Sequence, residues 1–283
     1  MQVILLAGAG RMGSALLRGW IETMGAGYHF VALDPHAGPS LADIGAEPAP
    51  GSRFSHASTI RDLPSGLRPQ VIVLATKPQS IGDVIADLRD RIDAETVLVS
   101  IAAGRSIRSI SKAAGTGSPV IRVMPNIGAS VARAVSAGFA STGTTSRQKT
   151  LVERLFTSVG QMTWLEKEEH LHLVTAVSGS GPAYYFAFCE AMIAAAEAEG
   201  LSSETARALA IGTVTSAGQL LACHPDPAHL RATVTSPNGT TAAGLASLLS
   251  HGVLEKLSRD TISAAARRSR ELSQDPEKRG NCE

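Results

Sequence analysis

The run VILLAGAGRMGSALLRGWIETM, residues 3–24, constrains the fold most. VILLA is a short apolar stretch of the kind that forms a buried strand, SALLRGWIETM has helical periodicity, and Gly8, Gly10 and Gly13 lie between them at GxGxxG spacing. In a strand-turn-helix unit each glycine has its own task. Gly8 permits the tight turn, Gly10 lets backbone approach a pyrophosphate, and Gly13 allows the helix to pack close to the strand. The helix start then adds partial positive charge for the phosphates. The next strand, FVALD (30–34), ends in Asp34, a carboxylate suited to ribose hydroxyls and therefore to NADH. His36 and Arg53 stand ready for the 2'-phosphate of NADPH, and Asp34 before Pro35 also reads as an ordinary strand-end turn residue. Both cofactors stay open.

Further apolar strands follow at VIVLAT (71–76), TVLVSIA (96–102) and VIRVMPN (120–126), separated by helical patterns such as SIGDVIADLRDRI. Continuous apolar strands between helices imply a parallel sheet covered on both faces. SAGFAS and QMTWLE read as a last strand pair flanking the helical TSRQKTLVERLFTSVG. Beyond residue 167 strands cease, and Ala-rich helices are broken at EGLSSE, CHPDP and SPNGTT. The expected fold is an α/β Rossmann-like N-terminal domain plus an all-α C-terminal domain. Its boundaries are 1–165 for dinucleotide binding, 166–273 for the helical domain and 274–283 for a disordered tail.

Twenty-six basic against 25 acidic residues provide no field for nucleic acid or anionic lipid, so neither is an expected partner. Cys189, Cys223 and Cys282 are odd in number and scattered, which points to a reduced, cytoplasmic protein with neither a disulfide framework nor a zinc site. The opening residues lack a basic export region, and glycines interrupt them well before the ~20 apolar residues of a membrane span.

Residues 176–192, AVSGSGPAYYFAFCEAM, pose a different question. Pro182 suits a first helical turn, but Gly179 and Gly181 would each cost about 1 kcal/mol of helix propensity. Close access to that backbone is the expected reason. TSPNGTT (235–241) likewise precedes a helical run, AAGLASLL. Two helix starts rich in small hydroxyl residues suit a carboxylate held by free amides, although each alone is also readable as an ordinary N-cap. His170 and His172, at i and i+2, do not share a helix face, so no metal is expected. Tyr184, Tyr185, Phe186 and Phe188 read as core or dimer contacts on a buried helix, and Cys189 as a small hydrophobe.

In order, GAGRMG, VLATKPQ, SIAAG, RVMPN, AVSGSGPAYYF and SPNGTT resemble the pyrroline-5-carboxylate reductases over about residues 2–272. The resemblance implies hydride transfer from NADPH or NADH to a small cyclic imino acid, the last step of proline biosynthesis. It also implies a homodimer built on the helical domain, assembled in some relatives into decamers. Carried over by position, Ala7, Gly8, Ala9, Gly10, Arg11, Met12 and Gly13 would hold the phosphates, with Asp34 and His36 at the ribose. Thr76, Lys77, Pro78, Ala102 and Ala103 would line the nicotinamide side. Ser236, Gly239, Thr240 and Thr241 would take the substrate carboxylate, with Ser236 and Thr241 as the catalytic pair and the Thr241 hydroxyl facing the ring nitrogen. Glu168 and the wall Ser178, Gly179, Ser180 and Gly181 would complete the substrate side.

The chain departs from the family pattern in three places. IGAS follows RVMPN where Thr-Pro is usual, Asn238 replaces a glycine, and SHASTIRDL lacks the asparagine many relatives carry there. Two alternatives follow: a reductase of another cyclic imine, with an altered wall around Glu168 and Ile127, or a non-catalytic NAD(P)H sensor. A hydroxyacid dehydrogenase fits least, because the helix-borne lysine and asparagine expected of one are absent from the SGSG helix, and Lys77 reads as a cofactor contact or a surface lysine.

Overall fold

The computed structural model describes residues 1–36, 51, 53–115 and 117–274. Of the tail read as disordered at 274–283, Gln274 ends a helix, and 275–283, with Cys282, lie outside the described residues. Among the described residues two compact units are present, one of residues 1–180 with those from 265 onward and one of residues 181–264.

The first unit is an eight-stranded sheet. Its strands are β1 (Gln2–Ala7), β2 (Tyr28–Leu33), β3 (Arg53–Ala57), β4 (Val71–Leu74), β5 (Val97–Ser100), β6 (Val120–Met124), β7 (Ala134–Ala140) and β8 (Gly160–Trp164). They lie in the order β3-β2-β1-β4-β5-β6-β7-β8. Pairing is parallel except where β7 runs antiparallel to β6. The order reverses beside β1, so the crevice between the β1 and β4 ends is the place where such sheets bind ligands.

Alternate residues of each strand feed separate cores, which is why these strands read as continuous apolar runs. Ile4, Leu6, Phe30, Val73, Val99 and Val123 pack with Leu16, Leu17 and Trp20 of helix α1 (Arg11–Thr23). Leu5, Ala7, Val31, Ile72, Leu74 and Leu98 pack on the other face with Ile81 and Ile85 of α2 (Ile81–Asp87) and Ile110 of α3 (Ile107–Ala114). Helix α4 (Ser146–Thr157) joins the first core, and the Trp20 indole donates to the Leu155 carbonyl at 2.7 Å. β3 is a strand the periodicity does not announce. RFSHA is polar and half-exposed because it is the sheet edge, with only Ala57 buried.

After β8 come a short helical turn, α5 (Leu171–Val174), and a π-helix, Thr175–Gly179. The second unit holds α6 (Gly181–Ala198), α7 (Ser203–Cys223), α8 (Pro227–Thr233), α9 (Thr240–Leu248) and the start of α10 (Val253–Gln274). Within residues 181–264 only Gly181 and Ala206 are buried in the single chain. The helix read as buried is therefore open on the chain alone, with Tyr185 67% and Phe186 62% exposed. No helix among the described residues is long and apolar enough to cross a membrane.

Candidate active site

The predicted cofactor residues collect at the carboxyl ends of the parallel strands. Gly8 follows β1 at φ +97°, and a Cβ there would come within 2.9 Å of Ala75 and Thr76. A Cβ on Gly13 would stand 2.2 Å from the Gly8 carbonyl oxygen, so the helix approaches the loop as closely as glycine allows. Gly10 differs. It caps α1 with extended backbone, no side chain caps that helix start, and a Cβ on it would meet nothing within 4 Å. Packing within the chain does not demand this glycine, so the open space and free helix amides beside it fit a pyrophosphate.

Asp34 ties the loop to β2. Its Oδ2 accepts from the Ala9 amide at 2.6 Å and its Oδ1 from the His36 amide at 2.8 Å. The His36 ring is 91% exposed, with Nδ1 3.9 Å from the same carboxylate. A cleft of roughly 660 Å³ opens here, lined by Ala7, Gly8, Asp34, Thr59, Arg61 and Thr76 among others. The Thr76 hydroxyl is buried without a hydrogen-bond partner, an unmet polar group that a bound dinucleotide could satisfy. Lys77 is exposed and begins the 3-10 turn Pro78–Ser80. Arg105 Nε donates to the Pro78 carbonyl at 2.7 Å, tying the loop after β4 to the Ala102–Ala103 loop after β5. Arg105 was not visible as a site residue, because nothing in its neighbours marks its partner.

Glu168 proves to be held from two directions. Its Oε1 accepts from Arg122 Nη1 at 2.9 Å and from the Ile107 amide at 2.8 Å. The Arg122 side chain is only 6% exposed, so its charge is met inside the protein by the Glu168 carboxylate. Arg122 is the one charged residue of the otherwise apolar strand VIRVM. That oddity was the signal that a buried partner existed. His172, whose Nδ1 lies 2.9 Å from the Ser269 hydroxyl, borders a pocket that Arg122 and Glu168 also line. Burial first, then the charges of Arg122 and Arg270, hold its pKa below the ordinary value, against an upward pull from Glu168. Among the described residues no group of three or more His, Cys, Asp or Glu is placed to hold a metal ion.

Ser178, Gly179 and Ser180 belong to the first unit, in and just after the π-helix, a form that occurs often at functional sites. A Cβ on Gly179 would make only ordinary contacts, the nearest 3.8 Å from the Met124 sulfur. Internal packing thus leaves this glycine unexplained too. Gly181, Ser236, Gly239, Thr240 and Thr241 lie in the second unit. There Asn238 takes φ +58°, so the left-handed turn a glycine would make is made by the residue type that best tolerates it. A Cβ on Gly239 would strike the Ser236 hydroxyl at 2.3 Å, so glycine is what lets that hydroxyl lie against the turn. No side chain caps α9, which leaves the Thr240 and Thr241 amides available at the helix start, with both residues exposed.

Comparison with known proteins completes the picture. Residues 168–272 match the family model described as pyrroline-5-carboxylate reductase dimerisation. Residues 2–104 match the model described as NADP oxidoreductase coenzyme F420-dependent. The chain is 37% identical over 272 residues to a Pseudomonas aeruginosa pyrroline-5-carboxylate reductase, covering 96% of this chain and 97% of that one. A solved pyrroline-5-carboxylate reductase from Coxiella burnetii superposes with TM-score 0.83 at 30% identity, covering 96% and 98% of the two chains. The Plasmodium falciparum pyrroline carboxylate reductase, solved with NADP bound, superposes with TM-score 0.72 at 25% identity over 96% and 98%.

Proposed function

Because the chain belongs to the pyrroline-5-carboxylate reductase family, we propose that it reduces 1-pyrroline-5-carboxylate to L-proline with NADH or NADPH, the last step of proline biosynthesis. The observation that carries this reading is the uncapped start of α9 behind Ser236 and Gly239, whose free amides suit a substrate carboxylate.

The chemistry asks for positioning more than for a strong acid. When bound, the reduced nicotinamide would supply the hydride that the imine carbon accepts, C2 of the pyrroline ring, which becomes C5 of proline. The amides of Thr240 and Thr241, with the Ser236 hydroxyl, hold the substrate carboxylate at a helix end whose dipole favours negative charge. The Thr241 hydroxyl orients the ring nitrogen; an imine that arrives protonated becomes the neutral amine on hydride addition and takes its second proton from water, so it needs no acid from the protein. Ser178, Gly179, Ser180 and Gly181 are assigned to the substrate side as small residues that leave room for a compact ring. On the cofactor side, Gly8 to Gly13 take the phosphates, Asp34 and His36 the ribose, and Thr76, Lys77, Pro78, Ala102 and Ala103 the nicotinamide half. Holding two reactants in one orientation removes much of the entropic barrier to their encounter.

We assign dinucleotide binding to residues 1–165 and substrate binding with dimerisation to 166–273. The dimerisation match makes the chain a homo-oligomer. Apolar side chains such as Tyr185, Phe186, Phe188, Met192, Leu209 and Leu220, exposed on the single chain, support a homodimer. A decamer would be a further assembly of such dimers. Scattered free cysteines agree with a cytoplasmic setting.

The test is oxidation of NADH and of NADPH by purified protein with pyrroline-5-carboxylate, beside a six-membered ring analogue. Turnover with the five-membered imine is expected. Turnover with the analogue alone would make this a reductase of another imine, and cofactor binding without turnover would make it a sensor. Thr241→Ala should lower turnover while leaving NADH affinity nearly intact; equal loss of both would remove Thr241 from the substrate side.

A further inference from the structure

Resting on that reading, we propose that Asn126 is a positioning residue that holds the Ser178–Ser180 wall of the substrate site through a carbonyl that Pro182 cannot serve. Asn126 ends the RVMPN motif immediately after β6 and is 7% exposed. Its side chain reaches three segments. Oδ1 accepts from the Gly128 amide at 3.2 Å and from the Val135 amide at 3.0 Å, and Nδ2 donates to the Ser178 carbonyl at 3.0 Å. Two amide donors on one side settle which end of the carboxamide is oxygen, so the Nδ2 assignment follows from the partners.

The Ser178 carbonyl has a specific need of a donor. In a regular helix it would accept from the N–H four residues on, but that residue is Pro182, which has none. The chain passes this point as a π-helix, with the Ser180 amide reaching back to the Thr175 carbonyl at 2.8 Å. Asn126 supplies a donor from across 52 residues of sequence. Met124, also at the β6 end, faces the same wall, with its sulfur 3.8 Å from where a Gly179 Cβ would stand. Asn126 therefore couples the wall to the Ile127–Val131 turn, where this chain carries IGAS in place of the usual family residues. The wall is set by strand β6, and only the alignment of the imine, not the seat of the cofactor, depends on this bond.

Asn126→Asp tests the assignment most sharply. It keeps the acceptor for the Gly128 and Val135 amides and turns the donor facing Ser178 into a second acceptor. Turnover with the imine should fall roughly ten- to a hundredfold near neutral pH, with NADH affinity and melting temperature near those of the wild type. It should recover relative to the wild type as the pH is lowered, because a protonated carboxyl is again a donor. Asn126→Ser removes the reach to Ser178 without adding charge, and adding Pro182→Ala to it restores a backbone N–H four residues on. The double variant should regain turnover that Asn126→Ser loses. Wild-type turnover in the folded Asp and Ser variants would overturn the proposal, as would losses of turnover and NADH affinity that simply follow a lower melting temperature. If the Asp variant fails to fold, the Ser variant with and without Pro182→Ala decides, rescue supporting the role and no rescue refuting it. A wild-type protein that does not reduce the imine would instead overturn the functional reading beneath it.

Discussion

Replacing Gly10 with Ala should separate what the glycine loop does for the fold from what it does for the cofactor. Gly10 has φ −64° and ψ −171°, a conformation open to any residue, and the added methyl would touch nothing within 4 Å. The only cost to folding is a poorer helix cap, about 1 kcal/mol. A pyrophosphate resting on that backbone would meet the methyl directly, and overpacking of this kind costs about 1–3 kcal/mol. NADH should therefore bind roughly five- to 150-fold more weakly. Gly13→Ala makes the contrast. Its methyl would stand 2.2 Å from the Gly8 oxygen, and the Gly8 amide is itself bonded to the Leu33 carbonyl at 2.9 Å, so the loop has to move. That variant should lose NADH affinity and about 1–3 kcal/mol of stability, less about 1 kcal/mol from better helix propensity. Urea unfolding followed by tryptophan fluorescence, with NADH titrations on the same samples, measures both quantities. Wild-type NADH affinity in Gly10→Ala would refute the argument that its open space is the cofactor's.

Asp34→Ser should shift the ratio of the specificity constants toward NADPH, because it removes a carboxylate that would repel a 2'-phosphate while a hydroxyl keeps one of the bonds now made to the Ala9 and His36 amides; an unchanged ratio would take Asp34 off the ribose. Glu168→Gln should destabilise the protein by about 2–3 kcal/mol, somewhat below the cost of splitting a fully buried pair, because Arg122 is buried but Glu168 is 29% exposed; an unfolding midpoint like the wild type's would show that the pair contributes nothing. His172 gives stability a pH dependence of definite sign. Its folded-state pKa is below the ordinary 6.5, so as pH falls below about 6.5 the unfolded chain gains a proton that the folded chain does not, and stability drops. Urea midpoints at about pH 7 and about pH 5 should differ less in His172→Asn than in the wild type.

The glycine loop, the apolar strands and the switch to Ala-rich helices were legible because each is a local pattern with a local cause. Buried strands in a covered parallel sheet must be apolar throughout, and a helix that packs so close to the Gly8 carbonyl that any Cβ at position 13 would collide with it must have glycine there. β3 escaped notice because an edge strand that is half in water carries no such pattern. The substrate-side helix starts were readable as N-termini rich in small residues, and the family resemblance, not their spacing, gave them roles.

What the sequence determined by itself was most of the elements, β3 excepted, their order and the chemistry of the loops between them. What only the tertiary structure decided was which distant residues complete one another. Arg122 pairs with Glu168 46 residues away, and Asn126 serves Ser178 52 residues away. No periodicity records such pairs. A buried charge or an amide-poor carbonyl announces that it needs a partner, because leaving it unmet costs free energy. The identity of that partner follows only from how the sheet brings the strand ends together.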